Sequence, residues 1–180
     1  TKMSEQLSMI GREGAEALTA ILNSYFTSMI SRIEISGGFV GKFGGDAMTI
    51  FFPAKNEADL KKIAKVAVIT SIDLQKRMDA FQNFETKGGT FSLGMKIGVA
   101  SGQVLYKVVG PDEDGGREYL LAGRPLDEAA EAEHHGVSGE VVISSGVALQ
   151  CLAEGTDKGN GFIGLDVNTV VPEIKFKHTP

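Results

Sequence analysis

The sequence predicts an α+β fold, ferredoxin-like, in which an antiparallel or mixed sheet carries its helices on one face. Three observations carry this. Two long stretches repeat their apolar residues at helical spacing, several short runs alternate at strand spacing, and glycine-bounded joints place helix and hairpin in alternation. The order reads helix, hairpin, helix, hairpin, strand, helix, strand. A sheet of this kind wants one more strand before the first helix, and the chain lacks it. At 180 residues the default is a single domain over 1–180, with no repeat, low-complexity tract or linker dividing it.

The elements follow in order. From Leu18, apolar residues recur at Ile21, Leu22, Tyr25, Phe26, Met29, Ile30 and Ile33, one stripe of an amphipathic helix. Ser4 before Glu5 is a candidate cap for a shorter helix, with Gly11 and Gly14 marking a break between the two. Gly37-Gly38 ends the long helix. Two strand-like runs, 39–43 and 47–52, flank Gly44-Gly45-Asp46, so a tight hairpin is expected, closed by Pro53. A second long helix is expected from Glu57 to about Phe84, with Leu60, Ile63, Ala64, Ala67, Leu74, Met78 and Phe81 near one face, broken by Lys87-Gly88-Gly89. Met95, Ile97 and Val99, then Val104, Tyr106 and Val108 beyond Ser101-Gly102, predict a second hairpin. Pro111 to Gly116 reads as a turn, Tyr119 to Ala122 as a strand, Asp127 to His135 as a polar helix and Glu140 to Ile143 as a buried strand. Glu154 to Gly161 reads as loop, before a final short strand pair.

Composition narrows the function classes. Hydrophobic residues make up 42% and charged residues 23%, which is globular rather than disordered. The net charge of −5 excludes a bulk electrostatic grip on nucleic acid, while leaving room for a local cationic pocket. Cys151 is the sole cysteine and cannot form an internal disulfide, so a reducing, cytoplasmic setting is expected. No apolar run approaches the roughly 18 residues of a membrane helix, and no signal peptide opens the chain.

Gly41-Lys42-Phe43-Gly44-Gly45-Asp46 is the strongest local signal. It is no P-loop: Ser36 stands where the first glycine belongs, and Phe43 follows the Gly-Lys pair instead of Ser or Thr. Its glycines join strand to strand, so no helix N-terminus awaits a phosphate. What remains is Asp46 at a hairpin tip among small residues, a candidate ligand for a hard cation such as Mg²⁺ bound together with substrate phosphates. The competing reading is a simple turn aspartate. Asp112 to Gly116 fails as a calcium loop, because Arg117 and Gly123 occupy its essential sixth and twelfth positions. His134 and His135 are adjacent, about 100° apart on a helix, and read as surface residues. Cys151 reads as core. Asp127, Glu128, Glu131 and Glu133 read as a solvated acidic face.

Taken together these segments resemble the class III nucleotidyl cyclase catalytic domain, the adenylyl and guanylyl cyclases. Thr1 to Glu5 is similar to the end of that family's Asp-x-x-Gly-Phe-Thr segment. Gly14-Ala15-Glu16 and Leu22 to Phe26 fit its first long helix, and Gly37-Gly38, Lys42-Phe43 and Gly45-Asp46 fit its metal-binding hairpin. Met95 to Gly102 is similar to its Ile-Gly-x-x-x-Gly strand and turn, and Tyr119 to Gly123 and Gly139 to Ser144 to its last blocks. The resemblance covers roughly 1–150 and is greatest to the first of the two cyclase domains of soluble adenylyl cyclase-like proteins.

The resemblance implies a lyase that makes cyclic AMP and pyrophosphate from ATP with Mg²⁺ or Mn²⁺, at a site shared by two domains paired head to tail. It makes Asp46 the second metal aspartate and catalytic residue, and puts the first just upstream of Thr1. It assigns Lys42, Gly45 and Thr1 to substrate or regulator binding. Lys42 also matches a lysine of the family's bicarbonate-binding regulatory pocket, whose arginine falls on Ala130. Three positions depart from the pattern: Leu120 replaces the base-selecting Asp or Thr, Asp127 the transition-state asparagine, and Glu131 the transition-state arginine. A carboxylate in place of that cation reverses the sign of the field a triphosphate meets. The chain is therefore expected to supply the metal-binding half of a site that a partner domain completes, and to be inactive as a homodimer. Two alternatives stay open. One is a degenerate pseudo-cyclase with a regulatory or ligand-sensing role. The other is a diguanylate cyclase, suggested by Gly44-Gly45-Asp46-Ala47-Met48, although Ala47 stands where that family needs an acid.

Overall fold

A computed structural model describes residues 12–45, 47–86, 89–110 and 118–172. The chain separates into two compact units, divided between Met95 and Lys96. Among the described residues, the first begins with helix α1, Arg12–Ile35. Its stripe buries Tyr25, Met29 and Ile33, as the periodicity predicts. Gly14 lies inside α1 rather than at a break, a cost of about 1 kcal/mol that a helix of this length absorbs. Ser4 and Gly11 lie outside the described residues. Gly37, with φ +83°, ends the helix, and at Gly38 a Cβ would strike the Phe52 ring at 2.8 Å.

Strands β1 (Phe39–Gly44) and β2 (Ala47–Phe51) form the expected antiparallel hairpin. Helix α2 spans Glu57–Arg77, and the Asn56 side chain caps it by accepting the Asp59 N–H at 3.0 Å. Acidic residues in its first turn and basic ones in its last both favour the helix dipole. Its inner face buries Ala64, Ala67, Val68, Ile72 and Leu74. Each larger side chain among these contributes about 1.5–3 kcal/mol of burial.

Helix α2 stops short of the predicted Phe84. It tightens into a 3₁₀ turn at Met78–Phe81, and Asn83 adopts φ +51°, which no helix continues through. Phe84–Thr86 is instead strand β3, paired with β4 (Gly89–Phe91), a hairpin the periodicity did not reveal. Met78 and Phe81 are buried as expected. Asp73 ties the two helices, accepting from Arg32 Nε at 2.5 Å and Arg77 Nε at 3.1 Å. Partial burial pushes its carboxyl up, but the Arg77 and Arg32 hydrogen bonds outweigh this and hold it below the usual carboxylate range.

The second unit is built on a mixed four-stranded sheet. Its strands are β5 (Ile97–Val99), β8 (Val141–Ser144), β9 (Thr156–Gly159) and β10 (Phe162–Leu165), in the order β5-β8-β10-β9. Strand β5 runs parallel to β8; the remaining pairs are antiparallel. Strand β8 is buried at every residue, as its unbroken apolar run predicts. Two further strands, β6 (Leu105–Val109) and β7 (Glu118–Ala122), form a separate antiparallel ribbon. The predicted hairpin joining the runs around Ile97 and Tyr106 therefore does not form. Strand β5 takes a distant parallel partner, and β6 pairs with β7 instead.

Helix α3 is Arg124–His135, starting three residues before the predicted Asp127 with Pro125 in its first turn. Helix α4, Ser145–Cys151, was not legible in the periodicity, and it buries Cys151 as core. The stretch read as loop, 154–161, contains β9. The predicted turn at 111–116 lies outside the described residues.

Candidate functional site

Lys42 and Gly45 belong to the β1–β2 hairpin; Asp46 and Thr1 lie outside the described residues. The hairpin register slips between Val40 and Lys42, so Gly41 is an extra residue on β1. The bulge changes which face Lys42 occupies. It pairs with Thr49, on the face shared by Phe39 and Phe51, while Phe43 pairs with Met48 on the other. The Phe43 ring meets Phe26 of α1 edge-on, with centroids 5.8 Å apart, so the Phe43 face lies against the helix. Lys42 is thus left exposed on the opposite face.

Gly44 pairs with Ala47 and closes the hairpin around residues 45 and 46. Gly45 holds φ +66°, a conformation that favours glycine. A Cβ added at Gly44 or Gly45 would find nothing within 4 Å, so a ligand can approach this backbone. A single carboxylate beside such open backbone is a hard oxygen donor of the kind Mg²⁺ takes alongside phosphates. Among the described residues, no group of three or more His, Cys, Asp or Glu could hold a metal ion.

Leu120, Asp127 and Glu131, the positions expected to depart from the family pattern, lie in the second unit. Leu120, on β7 opposite Lys107, is 50% exposed. Asp127 and Glu131 are both exposed on α3 and stand one turn apart, on one face. Neither has an ion-pair partner among the described residues, whereas Glu128 pairs with Arg124 at 2.8 Å and Glu133 with Lys96 at 2.9 Å. The predicted acidic face is therefore half compensated.

The buried side of α3 is locked. A Cβ at Gly98 on β5 would lie 2.0 Å from the Ala129 carbonyl oxygen and 2.6 Å from the Glu133 nitrogen. The helix thus rests directly on the strand backbone, which only glycine permits. Ala132 completes the seat, fully buried with Val142 and Phe162. Gly123, with φ +152°, precedes the helix, and a Cβ there would meet the Gln103 carbonyl oxygen at 2.8 Å. Ser101 ties the adjoining loop to α4 by a 3.0 Å hydrogen bond to Gln150 Oε1. The Gly98 seat was missed as a site-building feature, although a glycine inside an alternating apolar run signals close backbone approach.

His134 is exposed as predicted, but His135 is half-buried, its ring 4.9 Å from that of Phe162. Glu140 accepts from Lys158 Nζ at 2.7 Å and from the Val137 N–H at 3.0 Å, and these bonds hold its carboxyl below the usual range.

Residues 1–162 match the family model of the "Adenylate and Guanylate cyclase catalytic domain". Among curated proteins, the chain is 31% identical over 147 residues to adenylate cyclase type 10 of Rattus norvegicus; the match covers 80% of this chain and 9% of that protein. The chain thus spans under a tenth of the length of these relatives. Among solved structures, the adenylyl cyclase CyaB from P. aeruginosa matches with a TM-score of 0.69 and 27% identity, covering 84% of this chain and 83% of that one. The guanylyl cyclase Cya2 matches with a TM-score of 0.63 and 25% identity, over 76% and 67% of the two chains. With a glycine-tipped hairpin, a helix seated on a glycine strand and a family match running through both units, the chain belongs to the adenylate and guanylate cyclase catalytic domains.

Proposed function

We propose that residues 1–180 form one cyclase homology domain, which converts ATP to cyclic AMP and pyrophosphate by supplying the metal-binding half of a site that a second cyclase domain completes. The observation that carries this is an asymmetry. The hairpin keeps Lys42, Gly45 and Asp46 in the family pattern, while Leu120, Asp127 and Glu131 break it on an intact helix platform. Adenine as the base is supported by the similarity to adenylate cyclase type 10 and CyaB, and Cya2 makes guanine the alternative.

In this reading Asp46, with an aspartate from a segment before Thr1, would hold Mg²⁺ or Mn²⁺. When bound, the metal supplies charge neutralisation at the attacking 3′-oxygen and the phosphate oxygens. Lys42 contacts the base or a regulator, and the open backbone at Gly45 admits the triphosphate. Asp127 and Glu131 repel it, so a homodimer is inactive. The partners are a nucleoside triphosphate and the second domain, with no role for nucleic acid or membrane, and the setting is cytoplasmic. Among the described residues no helix is long and apolar enough to cross a membrane.

The test mixes the full-length protein with a cyclase domain carrying the family's asparagine and arginine, in Mn²⁺ and ATP or GTP, and measures cyclic nucleotide. Negligible product alone, product from the mixture, and its loss with Asp46→Ala support the reading. Product from the mixture that survives Asp46→Ala overturns it. The carboxylates of Asp127 and Glu131, without an ion-pair partner among the described residues, favour a second reading, a pseudo-cyclase that regulates its partner. Failure of the completed pair to bind nucleotide with metal selects that one.

A further inference from the structure

The β9–β10 hairpin is closed by the pair Gly159–Phe162, which leaves Asn160-Gly161 as a two-residue loop. Both loop residues have positive φ, +53° at Asn160 and +82° at Gly161, the mirror-image type I′ turn that Asn-Gly favours. The hydrogen bond of such a turn joins its first and fourth residues, so the Gly161 N–H stands outside it. Asn160 is exposed, and among the described residues its carboxamide has no hydrogen-bond partner. Gly161 has no side chain to shield its nitrogen. The nearest side chain to the point where a Gly161 Cβ would stand is Ser145, with Oγ 3.5 Å away. An unheld electrophilic carboxamide and an unshielded backbone nitrogen therefore share one exposed loop.

We propose that Asn160 is a site of spontaneous, intramolecular modification. The deprotonated Gly161 nitrogen attacks Asn160 Cγ; the new N–Cγ bond forms as the carboxamide C–N bond breaks, and ammonia leaves. Water then opens the cyclic imide at either carbonyl, giving aspartate or isoaspartate. Isoaspartate routes an extra carbon through the main chain of a loop whose two-residue length sets the β9–β10 register. Strand β9 is the outer strand of its sheet, tied elsewhere by Lys158 to Glu140. The modification adds one negative charge and loosens that strand as the protein ages.

The experiment incubates the full chain, folded, at mildly alkaline pH and follows peptides by mass spectrometry, with isoaspartyl methyltransferase as the probe for isoaspartate. The expected result is a time-dependent mass gain, NH₂ replaced by OH, in the peptide carrying Asn160-Gly161. It should rise with pH, be accompanied by methyl acceptance, and be followed by faster amide exchange in 156–159. Asn160→Gly, which suits the same turn, should fold and show none of these. No mass gain in the folded chain under conditions where the denatured chain reacts would overturn the proposal, as would a gain yielding aspartate without isoaspartate.

Discussion

The β1–β2 hairpin and the α3 platform present opposite combinations of scaffold and surface. The hairpin is thinly supported: no residue of β1 or β2 described is fully buried, and its orientation rests on the Gly41 bulge and the Phe43–Phe26 contact. In the proposed reading its Lys42, Gly45 and Asp46 nonetheless keep the family pattern. The platform is deeply built, with β8 wholly buried and Gly98 letting α3 touch strand backbone. In the proposed reading its Leu120, Asp127 and Glu131 depart from that pattern. In that reading, divergence at Leu120, Asp127 and Glu131 is a change of surface chemistry on a preserved fold. A decayed fold would have lost the seat together with the side chains.

Four measurements sharpen or break that contrast. The largest effect belongs to Gly98→Ala, whose Cβ meets backbone atoms that no rotamer change relieves. Urea denaturation should show a loss of about 3 kcal/mol, and a loss under about 1 kcal/mol would mean that the seat is soft. Asp46→Ala should leave that stability unchanged and cut cyclic nucleotide formation with a complementary domain about 100-fold or more, the scale of removing a preorganised electrostatic contact. An unchanged rate would remove the hairpin from the site.

A smaller change tests the surface of the platform. Asp127→Asn with Glu131→Arg should tighten triphosphate binding about tenfold, as two substitutions that add a total of three units of positive charge near a phosphate are worth on the order of 1.4 kcal/mol. Calorimetric titration with a non-cleavable nucleotide measures it, and equal affinity would place these residues away from the ligand. The smallest effect is Glu140→Gln, at about 1 kcal/mol near neutral pH for a partly exposed charged hydrogen bond. Because Glu140 and Asp73 are held below their ordinary pKa, their stabilisation is fully present above the unfolded carboxylate range and is lost as pH falls through the folded values. The variant should accordingly lose less stability in acid than the parent does.

Helices α1 and α2 were legible because Tyr25, Met29 and Ile33, then Ala64, Ala67 and Leu74, recur at the helical period that burial enforces. The first hairpin was legible from its glycine joint. The Asn-Gly joint at 160–161 carries the same kind of signal for β9–β10, masked by the polar stretch around it. Strand pairing was not legible: the runs around Ile97 and Tyr106 look like hairpin arms, yet β5 lies beside β8 and β6 beside β7. At the candidate site, the sequence singles out Lys42, Asp127 and Glu131 as proposals, but shows neither the bulge that re-aims Lys42 nor the glycine that seats α3.

By itself, the chain's order of residues determined which segments coil, which extend, where several of them turn and which family pattern they follow. Those are local matters, settled by periodicity and by what each residue's backbone tolerates. The tertiary structure alone decided that β5 runs parallel to a strand some forty residues away, that Asn83 ends the second helix's run, and that two carboxylates on α3 stand without cations among the described residues. Such outcomes depend on contacts between distant segments, and an alternation pattern records only that a residue is covered, never by what.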